Sequence, residues 1–302
     1  MEGCRVRTDL ALEARESLEH AGEKMQGIRV EEYRYKRSDV QVTKVYVETK
    51  NAAGKLGKPV GTYVTMEAEA LAEQDEGYHR EISRCLAREL QKLMELEDGK
   101  SVLVIGLGNR AVTADSLGPQ VLDHLYVTRH IAKLYGKAAL GEEDIHRISC
   151  IEPGVMAKTG METSEILAGV IRETNPDIAL VIDALAARSI KRLNRTIQIT
   201  DTGIQPGSGV GNHRNALSRE TLGIPVIAVG IPTVVDAATI VGDALERDIG
   251  AEKVFRKERF GDLNNLYMTG KDVDEVIRRV SYTVSEGINM ALKRRGAAGA
   301  EA

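Results

Sequence analysis

Tryptophan is absent from the 302-residue chain and phenylalanine occurs only twice, leaving an aromatic share of 4%. Aliphatic side chains must therefore fill the core, and the aromatic platforms on which single-stranded nucleic acid stacks have little to be built from. An excess of either charge is missing as well: 41 Lys and Arg face 45 Asp and Glu, a net charge of −4, without the basic excess that phosphate backbones demand. Direct nucleic-acid binding is not expected. The three cysteines, Cys4, Cys85 and Cys150, are odd in number, widely spaced and without a CxxC pair, so they read as reduced thiols of a cytosolic compartment. Long hydrophobic runs are missing too. The longest uncharged stretch, Thr221 to Val235, contains Pro225, Gly230 and Pro232 and is too short to cross a bilayer. Residues Met1 to Asp9 lack the apolar segment of a signal peptide. Neither export nor a membrane partner is expected.

What is present is the balance of an ordinary globular protein, 42% hydrophobic and 28% charged, at a length that supports a substantial core. Residues 1 to 27 are polar and Glu-rich, with a short apolar patch at Leu10, Ala11 and Leu12, and read as a loosely held arm. Val40, Val42, Val45 and Val47 with Tyr33, Tyr35 and Tyr46 predict strands, broken by the turn-rich Asn51 to Gly61 and resumed over Thr62 to Met66. That makes a small N-terminal antiparallel β element. Tyr78 to Leu96 has helical spacing. Beyond it, strands at Ser101 to Ile105, Ile148 to Ile151, Ile178 to Ile182 and Val226 to Val229 alternate with helices. Those helices run from Pro119 towards Leu134, from Glu162 to Glu173 and from near Asp236, and Asp272 to Lys293 closes the chain. The alternation predicts an α/β fold with a mainly parallel sheet and helices on both faces.

In such sheets reactive groups collect where strands end. Two acids fall there: Asp115, between the Gly106-Leu-Gly108-Asn109 loop and the next helix, and Asp183, directly after the apolar strand Ile178 to Ile182. Two close carboxyls cannot both ionise cheaply, so one holds a proton, and the pair can activate water and protonate a leaving amine. An Asp just before a helix is more often an N-cap that satisfies free backbone amides, and that reading stays open for both; for Asp236 it is the reading adopted. The glycine loops at Gly106 and at Gly207-Ser-Gly-Val-Gly-Asn212 complete neither a Walker loop nor GxGxxG, and tight backbone packing accounts for them better than phosphate. His20, His79, His124, His130, His146 and His213 show no HxxxH or HExxH spacing, so no metal and no cofactor is assigned, and solvated histidines are expected. Ser208 lacks the GxSxG elbow and the cysteines lack a neighbouring His.

The ordered set Val102-Leu-Val-Ile-Gly-Leu-Gly-Asn109, Thr113-Ala-Asp-Ser-Leu-Gly-Pro119, Glu152-Pro-Gly-Val-Met156, Asn175-Pro-Asp177, Ile182-Asp-Ala-Leu-Ala-Ala-Arg-Ser189, Gly207-Ser-Gly-Val-Gly-Asn212, Thr221-Leu-Gly-Ile-Pro-Val226 and Gly230-Ile-Pro-Thr-Val-Val-Asp236 closely resembles the spore germination protease family. The resemblance covers most of residues 5 to 245. It implies an aspartic-type endopeptidase on a fold similar to hydrogenase maturation proteases, whose two essential aspartates match Asp115 and Asp183. It implies substrates among the small acid-soluble proteins that coat spore DNA, a homotetramer, and a cytoplasmic location in the forespore or spore core.

It also implies a zymogen. Arg7-Thr-Asp9-Leu10-Ala-Leu-Glu13 matches the family's processing segment, placing the cut between Asp9 and Leu10, with Glu13 contributing to recognition. The expected organisation is a propeptide over residues 1–9 and a single peptidase domain over 10–302. Between Asp248 and Asp272 the chain is shorter than the family pattern. The alternative of another class is a non-catalytic nucleotide- or phosphate-binding α/β protein, and a metal-assisted protease of the maturation type is a further one.

Overall fold

Apolar residues in unbroken runs make strands buried on both faces, and Ser101–Gly106 is buried at every position. The computed structural model describes residues 8–20, 22, 26–73, 76–97, 99–136, 146–207, 214–241, 263 and 266–293. Among them lie strands β1 (Ile28–Tyr35), β2 (Val40–Val47), β3 (Gly61–Glu67), β4 (Ser101–Gly106), β5 (Arg147–Ile151), β6 (Ile178–Ala187), β7 (Thr196–Thr200), β8 (Val226–Asp236) and β9 (Tyr267–Met268). The helices are α1 (Ala11–His20), α2 (Lys50–Leu56), α3 (Glu76–Met94), α4 (Leu117–Leu122), α5 (Arg129–Tyr135), α6 (Met156–Thr159), α7 (Thr163–Thr174), α8 (Arg219–Leu222) and α9 (Val273–Ala291).

The strands form one sheet in the order β1-β2-β3-β7-β8-β6-β4-β5, with β9 on β8. Pairs β4–β5, β4–β6 and β6–β8 are parallel, whereas β1–β2, β2–β3, β3–β7, β7–β8 and β8–β9 are antiparallel. The expected mainly parallel sheet is thus a mixed one. The N-terminal strands are no separate element, because β7 turns back beside β8 and joins them to the parallel half. Helices cover both faces. Leu86 and Leu90 of α3, Leu117 of α4 and Val280 of α9 pack on Val104 and Ile182, while Leu167 of α7 and Leu222 of α8 pack on Ile105 and Val181.

Four other expectations are corrected. The arm is not loose over residues 8–20: Leu10 and Ala11 are wholly buried, Leu10 against Leu185, Ala187 and Val235, and α1 follows. The turn-rich Asn51 to Gly61 contains α2, capped by the Thr49 hydroxyl accepting from the Ala52 N–H at 3.1 Å and ended by Gly57 at φ 69°. The helix expected from Pro119 to Leu134 breaks into α4 and α5. Asn289 of α9 accepts from the Tyr126 N–H and donates to the His124 carbonyl, occupying backbone groups that continuous helix would have used. Finally, β6 does not stop at Asp183. It runs to Ala187 along β8, with a register irregularity after Leu185 where its partner is Pro232, a residue with no N–H to give to the ladder. The closing helix ends at Ala291, close to its expected span.

Candidate active site

Strands β4 and β6 are direct neighbours, with Gly106 opposite Ile182, so the turn after β4 lies over the middle of β6. The Leu107 N–H donates to the Ile182 carbonyl at 2.8 Å. Gly108 stands at φ 118°, and a Cβ there would lie 1.9 Å from the Asp115 carbonyl oxygen, an approach that only glycine permits. The Asn109 N–H donates to that same carbonyl at 2.9 Å, and the Thr233 hydroxyl of β8 donates to the Ala114 carbonyl at 2.6 Å. Asp115 is thereby fixed on a short 3-10 turn, Thr113–Asp115, while Ser116 takes the cap position of α4. Neither sequence-singled acid is a helix cap: Asp183 lies within β6, its carboxylate accepting from the Ala184 N–H at 2.9 Å. Asp236 is one, accepting from the Thr239 N–H at 2.9 Å.

Asp115 and Asp183 line one cavity of about 240 Å³ together with Leu107, Leu185, Arg214 and Asp9. Burial pushes the Asp183 carboxyl well above the usual range, and the negative charges of Asp115 and Asp9 push it further. Burial also raises Asp115, opposed by the Asn109 amide and by Arg214. A carboxyl that keeps its proton beside one that loses it more readily is the arrangement of an acid and a base.

Asp9 brings the chain's own N-terminal segment into this site. Its N–H donates to the Ala186 carbonyl at 3.1 Å, and its carboxylate accepts from the Ala186 N–H at 2.9 Å. The Asp9 carbonyl accepts from Lys58 Nζ at 2.9 Å and Gln198 Nε2 at 3.0 Å, and Gln198 Oε1 accepts from the Ala11 N–H at 2.7 Å. Glu13 is buried, its carboxylate accepting from the Arg188 and Ser189 N–H groups at 2.7 and 3.0 Å. Sequence reasoning reached Asp9, Leu10 and Glu13 but missed Lys58 and Gln198, because a lysine after a helix and a glutamine in a strand belong to no motif.

The glycines at 106 and 118 allow α4 to touch the β4 turn: a Cβ on Gly118 would lie 2.3 Å from the Leu107 carbonyl oxygen. Close packing therefore accounts for the first glycine loop. The second lies from residue 208 onward outside the described residues, as do Ser208, His213, Cys4, residues 1–7 of the expected propeptide and most of Asp248 to Asp272. His79 is not solvated but buried, bonded to the Thr283 hydroxyl at 2.6 Å and the Glu73 carbonyl at 2.8 Å. Burial pushes the Cys150 thiol up to about 12, which disfavours a nucleophilic thiolate. Among the described residues no three His, Cys, Asp or Glu side chains are grouped to hold a metal ion, and no helix is long and apolar enough to cross a membrane.

Residues 6–259 match the profile of a family described as germination protease. A protein named germination protease from Caldanaerobacter subterraneus subsp. tengcongensis is 40% identical over 95% of this chain and 94% of its own. One from Clostridium perfringens (strain ATCC 13124) is 40% identical over 95% of both chains. One from Bacillus mycoides (strain KBAB4) is 46% identical over 80% of this chain and 66% of its own.

Proposed function

The chain belongs to the germination protease family, and from that premise we propose that it is an aspartic-type endopeptidase whose water is activated by Asp115 and Asp183. The observation that carries this reading is the shared cavity, in which the buried Asp183 holds its proton more firmly than Asp115. Asp115 as the ionised partner takes a proton from the water. Asp183 as the protonated partner gives one to the departing amine.

The same reading makes the chain a zymogen that cuts itself between Asp9 and Leu10, since Asp9 lines the cavity of the two acids. Residues 1–9 are then the propeptide and 10–302 the peptidase domain, with a fold of the hydrogenase maturation protease kind. Its substrates are small acid-soluble DNA-coat proteins degraded in the spore core during germination, and it works as a homotetramer without a cofactor. The test is incubation of the purified protein with such a coat protein. Cleavage before a Leu-Ala or Ile-Ala pair is expected, unaffected by a chelator and absent in Asp183→Asn. An intact coat protein, or activity lost to chelation and restored by added metal, overturns the proposal.

A further inference from the structure

Asp183, Gly230 and Gln198 are register partners across β6, β8 and β7. All three stand on the sheet face opposite to Ile182, Val229 and Ile199, which face the α3 and α9 layer. The row therefore has a carboxyl at one end and an amide at the other, about 10 Å apart by strand spacing, and its middle member, Gly230, contributes no side chain. Leu185 leans over the gap, for a Cβ on Gly230 would lie 2.5 Å from its Cδ1. The segment Asp9-Leu10-Ala11 lies along this opening. Asp9 and Leu185 line the acid-bearing cavity and also a second one of about 490 Å³ that holds Lys58 and Gln198.

Gln198 grips both sides of the peptide bond between Asp9 and Leu10. Its Nε2 donates to the carbonyl of that bond, and its Oε1 accepts the N–H of the residue after Leu10. The Ala11 N–H can only donate, which fixes the orientation of the amide. Lys58 adds a second donor to the Asp9 carbonyl and a bond to the Thr8 carbonyl at 3.2 Å. Its place is set by the end of α2, where Gly57 turns left-handed and the Gly57 and Lys58 N–H groups both return to the Ala53 carbonyl.

Two donors at 2.9 and 3.0 Å from one carbonyl oxygen match the spacing of groups that stabilise an oxyanion. Resting on the proposed self-cleavage, we infer that Lys58 and Gln198 are further catalytic residues, an electrophilic pair that polarises the carbonyl of the bond to be cut. When the water oxygen bonds to the Asp9 carbonyl carbon, its proton passes to the ionised aspartate. The C=O electron pair moves onto the oxygen held by Lys58 and Gln198. Collapse re-forms the C=O bond and breaks the bond to the Leu10 nitrogen, which takes the proton of the protonated aspartate. The products are an Asp9 carboxyl and a Leu10 amine. A protein substrate that takes the place of residues 8–13 meets the same two donors.

Full-length protein refolded from denaturant reports the step directly, with mass spectrometry timing the appearance of an N-terminal Leu10. Lys58→Met keeps the alkyl stem and removes the nitrogen donor. Gln198→Glu keeps the acceptor for Ala11 and removes the donor. Each is expected to slow cutting by about 100-fold while thermal midpoints stay within a few degrees of Asp183→Asn, the uncut control. If Lys58→Met fails to fold, the near-isosteric Gln198→Glu decides. Wild-type rates in the folded variants, with Asp183→Asn still uncut, overturn the electrophilic pair and leave self-cleavage standing. A wild-type chain that stays whole, or an Asp183→Asn chain that is cut, overturns self-cleavage and this inference with it.

Discussion

Asp183 works against the stability of the protein that holds it. Its carboxyl is raised above the ordinary 3.8 by burial and by the charges of Asp115 and Asp9, so the folded state binds a proton that the unfolded state releases. Stability from this group is complete below pH 3.8 and falls as pH rises towards the folded value. Asp183→Asn keeps an oxygen for the Ala184 N–H and removes that liability, so its thermal midpoint should exceed the wild type's at pH 8. A lower midpoint at pH 8 would mean that Asp183 is held ionised by something the cavity does not display. Activity should move the other way. Asp115→Asn and Asp183→Asn should each lower turnover on a substrate peptide by about 10⁴-fold, and the double variant should lose little more, because acid and base act as one unit. Near-native turnover in either single variant removes that residue from the chemistry. Both acids were legible in the sequence from their places beside apolar strands, but helix capping competed with catalysis there, and only three-dimensional placement set capping aside. Lys58 and Gln198 were not legible, since their meaning depends on a carbonyl 49 and 189 residues away in sequence.

At the scale of elements, the long apolar runs were readable and the short amphipathic ones were not. The strand Ser101–Gly106 and the helix Val273–Ala291 declare themselves by continuous burial and by helical spacing. Helix α2 has seven residues with a glycine and an asparagine among them, too short for periodicity and poor in intrinsic propensity; its cap and its packing through Ala52 and Leu56 onto Val45 and Tyr63 hold it. The turn after β4 depends on Gly108 in the same way. A side chain there meets the Asp115 carbonyl at 1.9 Å in a φ of 118°, so Gly108→Ala should cost on the order of 3 kcal/mol and displace Asp115. Denaturant unfolding and peptide turnover should therefore both suffer, and a variant that loses neither would show that the turn yields. Elsewhere, Glu89 of α3 ties that helix to β2. Burial opposes its ionisation, but Lys44 at 2.8 Å, Lys92 at 2.7 Å and the Tyr35 hydroxyl hold it to about 2, against an ordinary 4.5. Its contribution is present above pH 4.5 and lost as pH falls towards about 2. Glu89→Gln should flatten that acid limb of the unfolding curve, and an unchanged limb would place it on other carboxylates.

The whole molecule places two halves of the site on two halves of one sheet. Strands β1, β2 and β3 support α1 and α2, and with them Ala11 and Lys58, while the parallel strands β4 and β6 present Asp115 and Asp183. The join is the pairing of Tyr63–Glu67 with Thr196–Thr200 and of the latter with β8. No local pattern announces contacts across such separations, which is why strand types were predictable and sheet order was not. A consequence concerns how the proposed self-cleavage runs. The bond after Asp9 already lies in the site of its own chain, with Leu10 wholly buried and the Asp9 carbonyl held from two sides, so encounter between two molecules adds nothing to the reaction. The appearance of an N-terminal Leu10 should follow first-order kinetics with one rate constant across a hundredfold range of protein concentration. Mature enzyme added to full-length Asp183→Asn should leave it whole, because the segment to be cut is sequestered in the inactive molecule's own sheet. A rate constant that rises in proportion to concentration, or cutting of Asp183→Asn by added mature enzyme, would show that the segment leaves its groove and is processed by a neighbour.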